Sequence, residues 1–417
     1  MSLGCLFTKQ QRFLKAPGSP SSRAVSRSSS LFLIDETVVE TRLARLVDGR
    51  LVELKHYPHL PPAVDRAQAG DFYVARVTKA VRGINGTFVD LGTAGEGLLR
   101  TRSSPPQGSL VTALVVRPGY GAKLPILRPK DAAHDAEVQS GAPGRLAGAP
   151  DALEVAFSRA LPEDRIVIDG DGVWRRAQAE AHSRPDLVLE HAAPDLFERE
   201  GVQAQIEEAL DPVVTLPCGA RLVIEETQAL TAIDVDTARA PRAFEANIQA
   251  ADEIPRQMAA RSLAGNIVVD FAQAHGASDM LAIRSRLLVA AQTIDIDLEI
   301  GAAGRTGLVQ IQRARSAAPL SAILTRAGLT HSCIPVALNI EAQSARLARA
   351  VRATSARLAG PLAVRVNADL HRWLTAGAGV TAWRGICTAC PAPLQLLMDG
   401  DLSWGALEVD RREKGAS

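Results

Sequence analysis

Two acidic stretches hold the residue types best suited to chemistry: Thr231-Ala-Ile-Asp-Val-Asp-Thr237 and Asn266-Ile-Val-Val-Asp270. In a strand, side chains alternate, so Thr231, Ile233 and Val235 would share one face and Ala232, Asp234 and Asp236 the other. Asp270 ends a short apolar run that reads as a buried strand, with Phe271 next. A charged group at the end of such a strand is costly unless it is paired or binds a cation. A hard divalent ion held by one or two carboxylates, keeping several waters, is the usual arrangement for phosphate chemistry. The residues therefore point to magnesium-dependent phosphodiester chemistry at Asp234 and Asp270. Aspartates that only cap strand ends or helix starts would give the same spacing. Gly307-Leu-Val-Gln-Ile-Gln-Arg-Ala-Arg315 reads as a strand ending in cations. An arginine such as Arg313 beside a carboxylate site can hold a scissile phosphate, or it can be a surface charge.

These residues need a scaffold, and the pattern between 213 and 323 supplies one. Ala220–Glu225 and Ala229–Asp236 read as adjacent strands. The stretch from Phe244 to Leu263 is helical in period, with a kink expected at Pro255. Ser278 to Gln292 reads as a helix with Ser278 at its N-cap and Asp279 near its positive end. Ile294 to Ile300 alternates strictly, which predicts a strand with its three acids on one solvated face. Upstream, between 151 and 212, helical and extended segments alternate as in an α/β unit, ending in an amphipathic helix from Leu196 to Leu210.

A chain of 417 residues has room for two to four domains. Hydrophobic content of 47% and charged content of 22% describe a soluble globular protein, with aromatics low at 4%. A net charge of +1 gives no global nucleic-acid signature, so any basic surface must be local. Five cysteines without framework spacing fit a reducing cytoplasm, and no apolar run is long enough to span a membrane. Residues 1–30 are basic and serine-rich with no acid, which reads as a disordered or non-native extension.

The fold proper is expected from Leu31, with a hairpin turning at Asp48-Gly49. Short strands between 70 and 127, separated by glycine turns, suggest a small barrel. Cations including Arg76, Arg82, Arg117 and Lys123 fall in or beside them. An aromatic such as Phe88 among cations suits single-stranded nucleic acid, where rings stack on bases, although barrel core is its other reading. The Pro-, Gly- and Ala-rich stretch 128–150 reads as a linker.

At this point the sequence resembles a known family. Thr215 through Thr237, Asn247-Ile-Gln-Ala-Ala-Asp-Glu-Ile254, Asn266-Ile-Val-Val-Asp-Phe271 and Gly307-Leu-Val-Gln-Ile-Gln-Arg313 look like the catalytic core of the ribonuclease E/G family. Four ordered blocks are far more specific than one motif, and the likeness reaches over most of residues 31–323. It implies an α/β multidomain architecture of the α+β kind. Residues 31–65 and 151–212 would form an RNase H-like subdomain, split around an S1-like OB barrel at 66–127 that binds RNA. A DNase I-like catalytic α/β domain at 213–330 and a small C-terminal α/β domain at 331–417 would follow.

The same resemblance implies an endoribonuclease that cuts single-stranded RNA with Mg2+, leaving 5′-phosphate and 3′-hydroxyl ends. Asp234 and Asp270 would be the metal ligands, Asp236 a supporting residue and Arg313 a catalytic one. Phe88, with Lys123 and Arg117, would bind RNA. A non-catalytic RNA-binding protein on the same scaffold is the alternative.

Three departures separate the chain from the family pattern. Leu98 stands where a second stacking aromatic is expected, and no Arg-Thr 5′-end sensor is found between Arg128 and Glu154. The paired cysteines of a zinc link are missing after the Arg313 block, where only Cys333 lies. Cys387-Thr-Ala-Cys390 supplies two thiolates at metal-ligand spacing, without a second pair in the chain. Two copies could share one zinc through it, which would make a homo-oligomer; a redox-sensitive or adventitious pair reads as well. Trp373, Trp383 and Trp404 are expected in the core of the C-terminal domain.

Overall fold

The computed structural model describes residues 29–60, 65–81, 85–130, 141–273, 276–301, 308–334 and 336–412. Residues 1–28 of the extension expected over 1–30 lie outside these, as do Arg82, Gly307 and part of the stretch searched for an end sensor, while Ser30 already belongs to the first strand.

The chain opens with three antiparallel strands: β1 (Ser30–Glu36), β2 (Glu40–Val47) and β3 (Arg50–Pro58). The β2–β3 turn has Asp48 and Gly49 at φ +51° and +72°, the left-handed pair a two-residue hairpin requires.

A barrel follows, built from β4 (Phe72–Val81), β5 (Gly86–Asp90), β6 (Glu96–Arg100), β7 (Leu110–Arg117) and β8 (Ile126–Pro129). Their order is β5-β6-β8-β7-β4, and the β4–β5 pairing closes the ring into an OB-like barrel of five strands. Alternation points Tyr73, Ala75, Val77, Val89, Leu99, Ala113, Val115 and Leu127 inward. Gly97 is needed there, because a Cβ would lie 2.6 Å from the Leu127 Cδ1. Described parts of the stretch read as a linker, on either side of 131–140, form strands instead. Strand β8 extends into it, and β9 (Gly144–Ala147) pairs antiparallel with β4.

The chain then returns to the first sheet. Helix α1 (Ala152–Arg159) starts from an Asp151–Glu154 capping box. Strand β10 (Arg165–Asp169), helix α2 (Asp171–Glu180) and strand β11 (Val188–His191) complete the sheet in the order β11-β10-β1-β2-β3. It is buried on both faces: Phe32, Ile34, Ile166 and Ile168 pack on α1 and α2, while Leu33, Leu46 and Val167 face the next helices. Those are α3 (Leu196–Arg199) and α4 (Val202–Glu208), two pieces where one amphipathic helix was expected. Gly201 at φ +65° leaves the right-handed helical region and breaks it.

The second sheet comprises β12 (Val213–Thr215), β13 (Arg221–Glu226), β14 (Thr231–Asp236), β15 (Gly265–Asp270), β16 (Glu299–Ile300) and β17 (Leu308–Arg313). Its order is β12-β13-β14-β15-β17-β16, and β14–β15 is its parallel pair. Two helices, α5 (Ala243–Ala260) and α6 (Ala277–Thr293), cover one face. Leu222, Ile224, Ile233, Val235, Ile267, Val269, Val309 and Ile311 bury that face against Ala250, Ile254 and Met258 of α5 and Ile283 and Leu287 of α6. Pro255 sits inside α5 without ending it. Gly276, not Ser278, precedes α6. Of the strand expected from Ile294, β16 keeps only the end, since Ile294 terminates α6 and Asp295 takes φ +60°.

The C-terminal unit has α7 (Leu320–Leu324), α8 (Ile340–Arg357), β18 (Leu362–Val366), α9 (Ala368–Thr375), α10 (Gly379–Ala389), β19 (Leu394–Met398) and β20 (Leu407–Arg411). The strands form a sheet ordered β19-β18-β20. Val38 and Val39, from the β1–β2 loop, join its core. Trp373 and Trp383 pack against that core as expected, whereas Trp404 is not among its members and donates its Nε1 to the Leu338 carbonyl. Among the described residues no helix is long and apolar enough to cross a membrane.

Candidate active site

Asp234 and Asp270 face each other across the parallel β14–β15 pair, as Cα partners in register. Neighbouring strands lie about 4.8 Å apart, so the two carboxylates leave the sheet side by side. Both are on the face that α5 and α6 do not cover, because Ile233, Val235 and Val269 take the helix-facing positions. Both side chains are exposed.

The electrostatics fit a cation-seeking pair. Partial burial, then the charges of Asp270 and Asp236, push the Asp234 carboxyl above the usual carboxylate range. Neither Asp234 nor Asp270 has a cationic side chain bound to it among the described residues. Asp236 shares their face but is engaged differently. The Arg221 guanidinium donates to it at 2.5 Å and the Ala238 N–H at 2.9 Å, and these hold its pKa down. No three His, Cys, Asp or Glu side chains among the described residues converge as metal ligands. Two carboxylates with water filling the remaining positions still suit Mg2+, which dehydrates reluctantly and is usually bound this way. They would not suit zinc, which prefers a closed set of N and S donors.

A residue that the sequence places in a family-like block, but to which it assigns no role, fixes the end of β15. Asn247, buried in α5, donates from Nδ2 to the Ala272 carbonyl at 2.7 Å and accepts the Ala272 N–H at 3.0 Å. This clasp ties the chain two residues beyond Asp270 to the helix beneath it. The available signal was an amide between Ala246 and Ala250 on the apolar stripe of the helix.

Arg313 does not join the carboxylates, which corrects its expected catalytic place. In the β15–β17 register it pairs with Gly265, at the opposite end of the strand from the Asp270–Leu308 pair. It also shares the helix-facing side with Val309 and Ile311. There its guanidinium donates to the Met258 and Leu263 carbonyls at 2.8 and 2.9 Å, satisfying groups at the end of α5, and burial lowers its pKa.

On the barrel, Thr87 and Val89 point inward, so Phe88 lies half-buried on the outer surface, opposite Leu98 and Lys79 across its neighbouring strands. Lys123 donates to the Gln228 carbonyl at 3.0 Å and sits 5.2 Å from the Tyr120 ring centroid. Arg117 is half-buried and donates to the Leu124 carbonyl at 2.6 Å. With Arg315 donating to the Tyr120 hydroxyl at 2.7 Å, these residues join the β7–β8 loop to the second sheet. Cys387 and Cys390 are half-buried neighbours at the end of α10, where burial and Cys390 push the Cys387 thiol up. No third ligand accompanies them among the described residues, so a zinc held within one chain is not supported.

Comparison with known proteins finds relatives for the segment that holds the carboxylate pair. Residues 131–316 match the model of the Ribonuclease E/G family. Ribonuclease E of Escherichia coli is 37% identical over 175 residues, covering 38% of this chain and 16% of that protein. Ribonuclease E of Nostoc sp. is 32% identical over 167 residues, 36% of this chain and 24% of that protein. Ribonuclease G of Haemophilus influenzae is 29% identical over 145 residues, 33% of this chain and 30% of that protein. The match thus spans less than a third of the length of each of these relatives. Residues 131–316, which hold both members of the exposed carboxylate pair, are thus the part of the chain that is similar to the ribonuclease E/G family.

Proposed function

We propose that this protein is a magnesium-dependent endoribonuclease that cuts single-stranded RNA to leave 5′-phosphate and 3′-hydroxyl ends. The observation that carries this reading is the exposed, cation-free pairing of Asp234 with Asp270 on adjacent parallel strands. A bound Mg2+ would lower the pKa of a coordinated water and offset charge on the phosphate oxygens. Asp234 and Asp270 would hold the ion. Asp236 would keep Arg221 beside them, where its guanidinium can meet a phosphate without being drawn onto the ligands. Asn247 would keep Asp270 in place through Ala272. Phe88, on the outer barrel surface opposite Lys79, offers a ring for stacking and a cation for the backbone. Lys123 and Arg117 would act mainly by fixing the loop that joins barrel and sheet, since both are committed to backbone carbonyls.

The architecture supports the same reading. A sheet ordered β11-β10-β1-β2-β3, with β2 antiparallel to its neighbours, suits an RNase H-like subdomain interrupted by an S1-like barrel. The helix-backed second sheet then serves as the DNase I-like catalytic domain.

A second reading, an RNA-binding protein without catalysis, is favoured by one observation: Arg313 is spent on the end of α5. Incubating the protein with a 5′-labelled single-stranded RNA, with and without Mg2+, separates the two. Cleavage that requires Mg2+, yields ends accepted by a 5′-phosphate-dependent exonuclease and disappears in Asp234→Asn supports the nuclease. RNA bound but left intact by the wild-type protein in Mg2+ establishes the binder.

A further inference from the structure

The C-terminal unit carries an open cleft of about 480 Å3 lined by Arg326, Ile340, Asp369, Arg372, Trp373 and Trp404. Two of the four tryptophans in the chain therefore line one surface cleft. Both rings are held in place. The Trp404 Nε1 donates to the Leu338 carbonyl at 2.7 Å, and Trp373 lies over Gly379, where a Cβ would come within 2.4 Å of its ring. The exposed Arg326 guanidinium sits 4.2 Å from the Trp404 ring centroid, presenting a flat cationic plane. Asp369 and Arg372, ion-paired at 3.0 Å, add an exposed carboxylate and a second cation to the wall.

We propose that this cleft binds a base of single-stranded RNA and is a second RNA contact, separate from the barrel and the carboxylate pair. The proposal rests on the RNA reading above. Unstacked bases are held on aromatic rings and guanidinium planes and are read along their edges, while arginines at the rim meet the flanking phosphates. The Asp369 carboxylate can accept hydrogens from the exocyclic amino group that adenine, cytosine and guanine carry and uracil lacks. The base would stack on the outer face of the Arg326 guanidinium, which lies over Trp404 and so leaves no bare indole face of that residue for a prolyl ring.

The test is binding of short fluorescein-labelled oligo(A) and oligo(U) to the full chain in EDTA, read by anisotropy, so that cleavage plays no part. Trp404→Ala and Arg326→Ala should each weaken oligo(A) binding about ten-fold, within the range for one stacked base. Trp404→Phe should retain most of the affinity, and Asp369→Asn should erase the preference for oligo(A) over oligo(U). Arg326 is a surface residue, so its variant decides the matter even if Trp404→Ala fails to fold. Unchanged oligo(A) affinity in Arg326→Ala would overturn the proposal, as would unchanged affinity in a folded Trp404→Ala. So would a proline-rich peptide that saturates the cleft while RNA does not. A protein that binds oligo(A) through Trp404 but leaves RNA intact in Mg2+ loses the nuclease reading and keeps this one. One that cleaves with no dependence on Trp404 or Arg326 does the reverse.

Discussion

At Asp234, burial and the charge of Asp270 both oppose ionisation, so the metal-free fold carries a strained carboxylate. The sign follows by linkage. Its folded pKa lies above the unfolded value of about 3.9, so in that window the native state holds a proton the unfolded chain has lost. Stability therefore falls as pH rises from the unfolded pKa through the folded one. Replacing Asp270 by Asn removes the like charge. Asp270→Asn should stabilise the metal-free protein at pH 7, by roughly 0.5 kcal/mol after solvent screening, while abolishing RNA cleavage. Thermal melts in EDTA test this, and a lower melting temperature for the variant would contradict it. Adding Mg2+ should raise the melting temperature of the wild type, since a ligand that binds only the folded state stabilises it, and should leave that of Asp270→Asn nearly unmoved.

The elements show why some of the site was legible in the sequence and some was not. Alternation in β14 placed Asp234 on the open face, because Ile233 and Val235 had to be the buried ones. The same rule applied to Val309, Ile311 and Arg313 puts the arginine on the core face; a motif match drew it toward the carboxylates against its own periodicity. The Gly201 break was also open to reading, since glycine within a helical pattern marks a weak point. Pairing of β9 with β4 depends on a partner distant in sequence that no local pattern announces, and the Asn247 clasp shows locally only as an amide on an apolar stripe, without its partner Ala272. The clasp makes its own prediction. Asn247→Ala leaves the Ala272 N–H and carbonyl without their buried partners, at a cost of about 1–3 kcal/mol. If the clasp positions Asp270, the variant should need several-fold more Mg2+ for half-maximal cleavage and recover much of its rate at saturation. Lost stability with an unchanged Mg2+ requirement would make Asn247 a purely structural residue.

Across the whole molecule, the two large sheets repeat one arrangement with opposite outcomes. Asp35 and Asp169 are Cα partners at the ends of parallel β1 and β10, as Asp234 and Asp270 are in β14 and β15. The first pair is buried and filled by arginine. Arg42 donates to Asp35 at 2.5 and 2.8 Å, and Arg352, from α8, bonds Asp169 and lies 3.9 Å from Asp35. One turn earlier Arg349 bonds Glu40, whose pKa is driven down by His56, Arg349 and Arg42 against the effect of burial. The C-terminal unit is thus docked on the first sheet by guanidinium groups where the second sheet leaves room for an ion. Burial already raises the Asp169 pKa with Arg352 in place, and losing that cation would raise it further. Arg352→Ala should therefore destabilise the protein by about 3–5 kcal/mol at pH 7, the usual result of stranding a buried charge. The variant's Asp169 would take up its proton at higher pH than the unfolded chain does. The deficit should then shrink as pH is lowered through the folded pKa toward the unfolded value of about 3.9. Urea unfolding of wild type and variant at pH 7 and pH 5 measures both effects. A deficit independent of pH would mean that Arg352 contributes by packing rather than by charge.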